Sequence, residues 1–313
     1  MRIRDWILHH GRQFGTLLGL VALCVVLNFL TPHFLTVSNL LNVAQQTAIN
    51  AIIAVGMTFV IITAGIDLSV GSVLAFAGVV LGSTLKAGLP VPVGLLVGLT
   101  VGLGCGLVNG VLIAYGKLPP FIATLGMMSV ARGAALLTTQ GRPVSLFPEG
   151  LRVLAEGEVL HIPAPVIIMA GIYVLAHFLL TRTKLGRYTY AIGGNEEATL
   201  LSGVNVRFYK ITVYGLCGLL SGLAAILLTA RLDSAGPNAG IMYELDAIAA
   251  TVIGGTSLMG GEGTVAGTLI GAFIMGVLRN GLVLLDVSPY LQNVVIGSVI
   301  ILAVLMDMAL KRS

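Results

Sequence analysis

Apolar stretches of 15 to 25 residues recur almost end to end along this 313-residue chain, at 16–31, 44–64, 70–85, 91–115, 121–139, 163–180, 211–231, 243–257, 264–285 and 290–310. A soluble fold would have to bury nearly all of them, and the chain lacks the polar residues to cover such a core. Only 10% of its residues are charged and 57% are hydrophobic, where a soluble domain carries about 25% charged residues. A membrane-crossing helix needs roughly 20 mainly apolar residues. The pattern therefore predicts an all-α polytopic membrane protein, a single transmembrane domain over 1–313. The second and third stretches, and the eighth and ninth, are separated only by glycine-rich breaks. Ten spans result if both breaks cross, eight or nine if either re-enters. Forty-one glycines and a single Trp fit helices packed in close contact.

The net charge of +4 does not mark a nucleic-acid partner, because the cations form no continuous basic face. In a membrane chain they set topology instead. Under ten spans, Arg2, Arg4, Arg12, Lys117, Arg182, Lys184, Arg187, Arg207, Lys210, Lys311 and Arg312 fall on one side, against Lys86, Arg142, Arg152 and Arg231 on the other. Eleven against four predicts both termini in the cytoplasm. Arg2 and Arg4 precede the first apolar run, and the Thr31-Pro32-His33-Phe34 that follows it is no small-residue cleavage site, so an uncleaved first span is expected.

Little here can do covalent chemistry. Cys24, Cys105 and Cys217 lie in apolar runs without CxxC spacing, and the five histidines are scattered, so neither a disulfide framework nor a metal site is expected. Gly116-Lys117 is followed by Leu118, which excludes a phosphate-binding P-loop. No catalytic residues and no bound cofactor are expected, and the two long polar loops, 140–162 and 181–210, are too small to carry an ATPase.

Five features bear on mechanism. Asp67 lies in Gly65-Ile66-Asp67-Leu68-Ser69-Val70-Gly71, between apolar runs, where it reads either as a break lining or gating a pathway or as a turn with Asp67 or Ser69 capping the next helix. Gly254-Gly255-Thr256-Ser257 is the corresponding break in the second half. Gly94, Gly98, Gly102, Gly106 and Gly110 recur every four residues and form a bare stripe for close helix packing. Asn195-Glu196-Glu197-Ala198-Thr199-Leu200-Leu201-Ser202-Gly203 has an Asn cap, two acids in the first turn and a terminal Gly. A helix that short needs support, either from its own membrane domain or from a partner. Arg132 and Arg279 are intramembrane cations; Arg279 is near enough to its helix end to snorkel, while Arg132 needs a partner or water.

The halves also share an order of features. Asn50-Ala51-Ile52 before the first break matches Asp246-Ala247-Ile248 before the second, and Asn109-Gly110 before Pro119-Pro120 matches Asn280-Gly281 before Pro289. Repeat halves of roughly 44–139 and 243–310, with interrupted segments in matching places, are a transporter signature.

Taken together, Asn50-Ala-Ile-Ile-Ala-Val-Gly-Met-Thr, Gly65-Ile-Asp-Leu-Ser-Val-Gly-Ser, Phe121-Ile-Ala-Thr-Leu-Gly-Met-Met, Leu185-Gly-Arg-Tyr, Gly193-Gly-Asn-Glu-Glu-Ala-Thr and Tyr243-Glu-Leu-Asp-Ala-Ile-Ala-Ala resemble the ribose-type ABC importer permeases over nearly the whole chain. Relatives that move xylose, galactosides or autoinducer-2 share these motifs. The resemblance implies a bacterial inner-membrane homodimer or pseudo-dimer in lipid, a cytoplasmic ATP-binding subunit and a periplasmic sugar-binding protein. It implies that Asn195, Glu196, Glu197, Leu200 and Gly203 belong to the segment coupling to the ATPase, and that the two glycine-rich breaks lie near the pathway. The competing classes are an ion-coupled secondary sugar carrier, which a scarcity of buried acid relays disfavours, and a membrane-embedded enzyme, which lacks a nucleophile or metal constellation.

Overall fold

The computed structural model describes the backbone of residues 3–312 and the side chains of 14–305. In chain order its helices are α1 (Ile3–Leu30), α2 (Val37–Ile62), α3 (Val70–Lys86), α4 (Val91–Ala114), α5 (Pro120–Thr139), α6 (Glu149–Glu156), α7 (Ala164–Arg182), α8 (Lys184–Gly194), α9 (Glu196–Leu201), α10 (Val206–Leu232), α11 (Tyr243–Ile253), α12 (Val265–Leu284) and α13 (Pro289–Arg312). The two-residue strands β1 (Val144–Ser145), β2 (Glu158–Val159), β3 (Ile162–Pro163) and β4 (Ser234–Ala235) form two short antiparallel pairs, β1 with β4 and β2 with β3.

Local signals start these helices where the sequence changes character. Thr36, Asn205 and Thr264 accept backbone N–H bonds from Asn39, Phe208 and Gly267 at the heads of α2, α10 and α12. Pro92, Pro120 and Pro165 stand in the first turns of α4, α5 and α7, where a missing N–H costs nothing.

Each of the ten apolar stretches falls on a helix, and among the described residues six helices (α2, α4, α5, α7, α10 and α12) are long and apolar enough to cross a membrane. The chain is a multi-pass, all-α membrane protein. α3 is shorter, and the described parts of α1 (Phe14–Leu30) and α13 (Pro289–Leu305) are apolar as well. At 11 residues α11 spans only about 16 Å, roughly half the hydrocarbon thickness.

Burial sorts the bundle into layers. The apolar windows of α2 and α10 are 83% and 72% buried, against 22% for α4 and α5 and 28% for α7. The first two therefore form the centre, and the others offer apolar outer faces to lipid or to another subunit. One end of the bundle carries α6 and the β1–β4 pair, tied down where Asp233 Oδ1 accepts the Phe147 N–H and Lys86 donates to the Leu146 carbonyl. The other carries α8, α9 and the second break.

Candidate translocation site

The first break ends α2 at Thr63 and turns the chain through Ala64, which has φ of 59°. Asp67 is buried behind this turn. Its Oδ1 accepts the Ser69 backbone N–H at 2.9 Å and the Ser69 hydroxyl at 2.6 Å, and Asn109 of α4 donates to Ser69 Oγ at 3.0 Å. Ser69 is the residue at the head of α3, yet its side chain caps nothing, because its hydroxyl is spent on Asp67. Gly65 lies against the Tyr214 hydroxyl, and Gly71 against the Gly240 carbonyl and Glu244, so the start of α3 meets the start of α11.

Gly254, Thr256 and Ser257 of the second break are buried and Gly255 is half-buried. Gly254 allows α12 to approach through Gly267, and Gly255, Gly260, Gly261 and Gly263 all take positive φ, which only glycine accepts freely. Residues adjoining the two breaks touch one another: the Gly261 N–H donates to the Ile62 carbonyl at 2.9 Å, and Gly260 abuts Ala64. Both rest on α8, where Gly193 lies against Ile62 and the Tyr190 hydroxyl donates to the Gly263 carbonyl at 2.6 Å. The glycine-rich segments thus form a closed junction rather than an open channel wall.

An open polar cavity of about 120 Å³ lies elsewhere, between α2, the end of α10, α11 and α12. Asp246 of α11 is buried there and accepts from Arg279 of α12 at 2.8 and 3.1 Å, and from Asn50 of α2 at 3.3 Å. Arg231, which donates to Asn42 Oδ1 at 3.2 Å, also lines it, with Tyr243 and Thr47 among its neighbours. The sequence marks Asn50 and Asp246 only as repeat landmarks; the fold sets them face to face. Snorkelling, the expectation for Arg279, is corrected by this geometry, because its guanidinium turns inward to a carboxylate 33 positions away in the chain. Arg132 has the partner it requires, the Pro237 and Ala239 carbonyls at 2.6 and 2.8 Å, which draw the 233–242 loop into the bundle.

The glycine stripe of α4 is buried along its length. Gly102 and Gly106 meet Gly218, Gly222 and the Tyr214 carbonyl of α10, Gly110 meets Ile211, and Gly94 and Gly98 meet Leu85 and Leu81 of α3. At the α8 end, Asn195 accepts the Ala198 N–H at 2.9 Å to cap α9, and Gly203 leaves it at φ 81°. Thr199 is buried against the rest of the chain, whereas Leu200 and Leu201 are 58% and 82% exposed. Glu196 is held by Lys210 at 2.7 Å, and Glu197 is exposed. Among the described residues no group of three or more His, Cys, Asp or Glu side chains could hold a metal ion.

Asp67→Ala is expected to strand both Ser69 donors, costing roughly 1–3 kcal/mol. The bundle should still assemble while transport falls, and Asp67→Asn, which keeps an acceptor, should unfold closer to wild type in a thermal melt. Full transport by the alanine variant would reduce this break to a turn.

The chain is thus a multi-pass helical bundle with interrupted helices, a half-length helix and an Arg279–Asp246 ion pair beside a polar cavity. Residues 39–304 match the family described as "Branched-chain amino acid transport system / permease component". The chain belongs to this family, and is a transport component rather than an enzyme. It is 51% identical to the ribose import permease of Escherichia coli K12 over 296 residues, covering 93% of this chain and 92% of the relative. Against the ribose import permease of Bacillus subtilis 168 it is 50% identical over 298 residues, covering 95% and 92%. The D-allose transport system permease of E. coli K12 is 38% identical over 302 residues, covering 96% and 93%. No solved structure matches the chain.

Proposed function

We propose that the chain is the membrane-spanning subunit of an ATP-driven importer of ribose, forming the translocation path as a dimer in the bacterial inner membrane. The observation that carries the substrate is the step in identity, from 51% with a ribose permease to 38% with an allose permease and 36% with a xylose permease. ATP is bound by a separate cytoplasmic subunit, and sugar is delivered by a periplasmic binding protein. Apolar outer faces such as those of Phe29, Leu137 and Val174 meet lipid or the second permease copy.

The chain crosses the bilayer ten times with both termini in the cytoplasm, α11 and the second break making one crossing together. Two things support this topology: the eleven-to-four distribution of basic residues, and the sorting of alternate loops to opposite ends of the bundle. Residues 144–145 pair with 234–235 at one end, while 190–193 meet the breaks at the other. The cytoplasmic end then carries α8 and α9. Asn195, Glu196, Glu197, Leu200 and Gly203 build the ATPase-coupling helix, with Leu200 and Leu201 as its apolar contact. Its motion passes through α8, by way of Gly193 and Tyr190, to the breaks holding Gly65, Asp67, Ser69 and Gly71 and Gly254, Gly255, Thr256 and Ser257. Those breaks act as the gate. The matched positions Asn50 and Asp246 meet between the repeat halves, as a pseudo-symmetric arrangement would place them.

The test is ATP hydrolysis by the reconstituted complex with different loaded binding proteins. A ribose-binding protein should stimulate it several-fold, and allose- or xylose-binding proteins should not. Stimulation by the xylose protein alone would replace the sugar and leave the importer class standing.

A further inference from the structure

Residues 236–242 are irregular backbone held deep in the bundle. The segment leaves the β1–β4 pair at Ala235 and comes down to Gly240, which abuts Gly71 at the head of α3. Gly71 stands fifteen residues, about 22 Å, along α3 from Lys86 at its other end. Arg132 fastens the segment through the Pro237 and Ala239 carbonyls, and itself lies seven residues, about 10 Å, inside the end of α5 at Thr139. α11 then begins, with Glu244 in its first turn, beside Gly71 and near enough to Arg132 to attract it.

This deep segment is open on one side. Asn238 is exposed, Ile241 is 57% exposed, and Arg132 and Glu244 are half-buried. Both Arg132 bonds come from Nη1, so its Nε and Nη2 bond nothing among the described residues, and neither does the Asn238 side chain. Lipid cannot cover such a face. Irregular backbone and ionisable side chains persist at membrane depth only inside protein or against water, because hydrocarbon offers no hydrogen bonds. A dry seam with a second copy would strip water from a guanidinium and a carboxylate, which interface cores avoid. Water is the covering that fits.

We propose that residues 236–244 and Arg132 line a water-filled sugar path whose opposite wall is the second permease copy, and that Arg132, Asn238 and Glu244 bond the hydroxyls of the passing monosaccharide. This rests on the sugar-importer reading above and places its path beside the closed junction of the two breaks. A neutral polyol suits the lining: its hydroxyls donate to Glu244, accept from Arg132 and do both with the Asn238 amide. A simple ion meets one like charge. Binding here is weak, because a conducting path must release what it accepts.

The test labels Asn238→Cys, Ile241→Cys and Val174→Cys with a charged, lipid-excluded thiol reagent, in vesicles holding the permease and its ATPase. Wild type, with Cys24, Cys105 and Cys217, gives the background. Asn238→Cys and Ile241→Cys should react about ten-fold faster than Val174→Cys, which is 72% exposed on the apolar face of α7, because only a wetted thiol ionises readily. Labelled Asn238→Cys should then lose uptake of D-ribose supplied on its binding protein. Glu244→Gln, with the ATPase still co-purifying, should import about ten-fold less, as loss of one bond to a charged group implies. If Glu244→Gln fails to fold, the exposed and unbonded position 238 decides the matter. Rates at 238 and 241 as slow as at 174 overturn the path by showing a sealed face. Full uptake after labelling at 238 overturns it too, by marking a wet crevice off the route, and full uptake by Glu244→Gln overturns the sugar contact. Wild type that imports no D-ribose defeats the importer reading instead, and the labelling rates still report whether the face is wet.

Discussion

Gly102→Leu and Gly106→Leu are expected to abolish recovery of folded protein from the membrane, whereas Gly104→Leu on the same helix should accumulate normally. A Cβ at 102 would fall on the Gly218 carbonyl and within 2.9 Å of the Gly222 backbone, and one at 106 on the Tyr214 carbonyl and Gly218. These obstacles are backbone, which cannot swing aside, and Gly215, Gly218 and Gly222 supply the matching bare face on α10. In lipid such contact is what holds helices together, since no hydrophobic force separates helix from solvent. Overpacking of a core typically costs 1–3 kcal/mol, and here about the whole α4–α10 seam would have to open. Gly104 has nothing within 4 Å, which makes it the control. Gly98→Leu should be milder, because its neighbours are the movable side chains of Leu81 and Ile226. The readout is the yield of monodisperse protein after detergent extraction; wild-type yield from both leucine variants would show that this seam does not hold the bundle.

Leu200→Pro and Glu197→Lys are expected to release the ATPase during purification, or to leave it bound but uncoupled from sugar movement. α9 has six residues, too few to persist alone, and depends on the Asn195 cap and on docking. Proline inside it removes a backbone bond and costs about 3 kcal/mol. Glu197 is the better charge to reverse: Glu196→Lys would set two cations side by side, because Glu196 already pairs with Lys210. Co-purification of the ATPase and sugar-stimulated hydrolysis are the measurements. Wild-type values in both variants would move the coupling role to Lys117 and the 258–263 turn.

Hydropathy located every long helix, because a lipid-facing helix must be apolar wherever it has no protein neighbour. The glycine stripe was equally legible, since a four-residue spacing defines one helix face; the sequence could not say that its partner would be α10 of the same chain. Of the short polar elements only α9 was marked, by its Asn195 cap. α6 and α8 lie in the two long polar loops, and the β1–β4 pair joins positions some ninety apart, which no local pattern marks. The cavity was hidden for the same reason. Asp246 and Arg279 sit on different helices with no sequence pattern that pairs them, and Arg132 is satisfied by carbonyls that carry no sequence signal.

The most direct test of ATP-driven import is D-ribose uptake into vesicles containing the permease and its ATPase. Uptake should require ATP on the ATPase side and loaded binding protein on the other, and should be indifferent to a protonophore. Uptake without ATP or binding protein, abolished when the ion gradient collapses, would contradict it and identify an ion-coupled carrier.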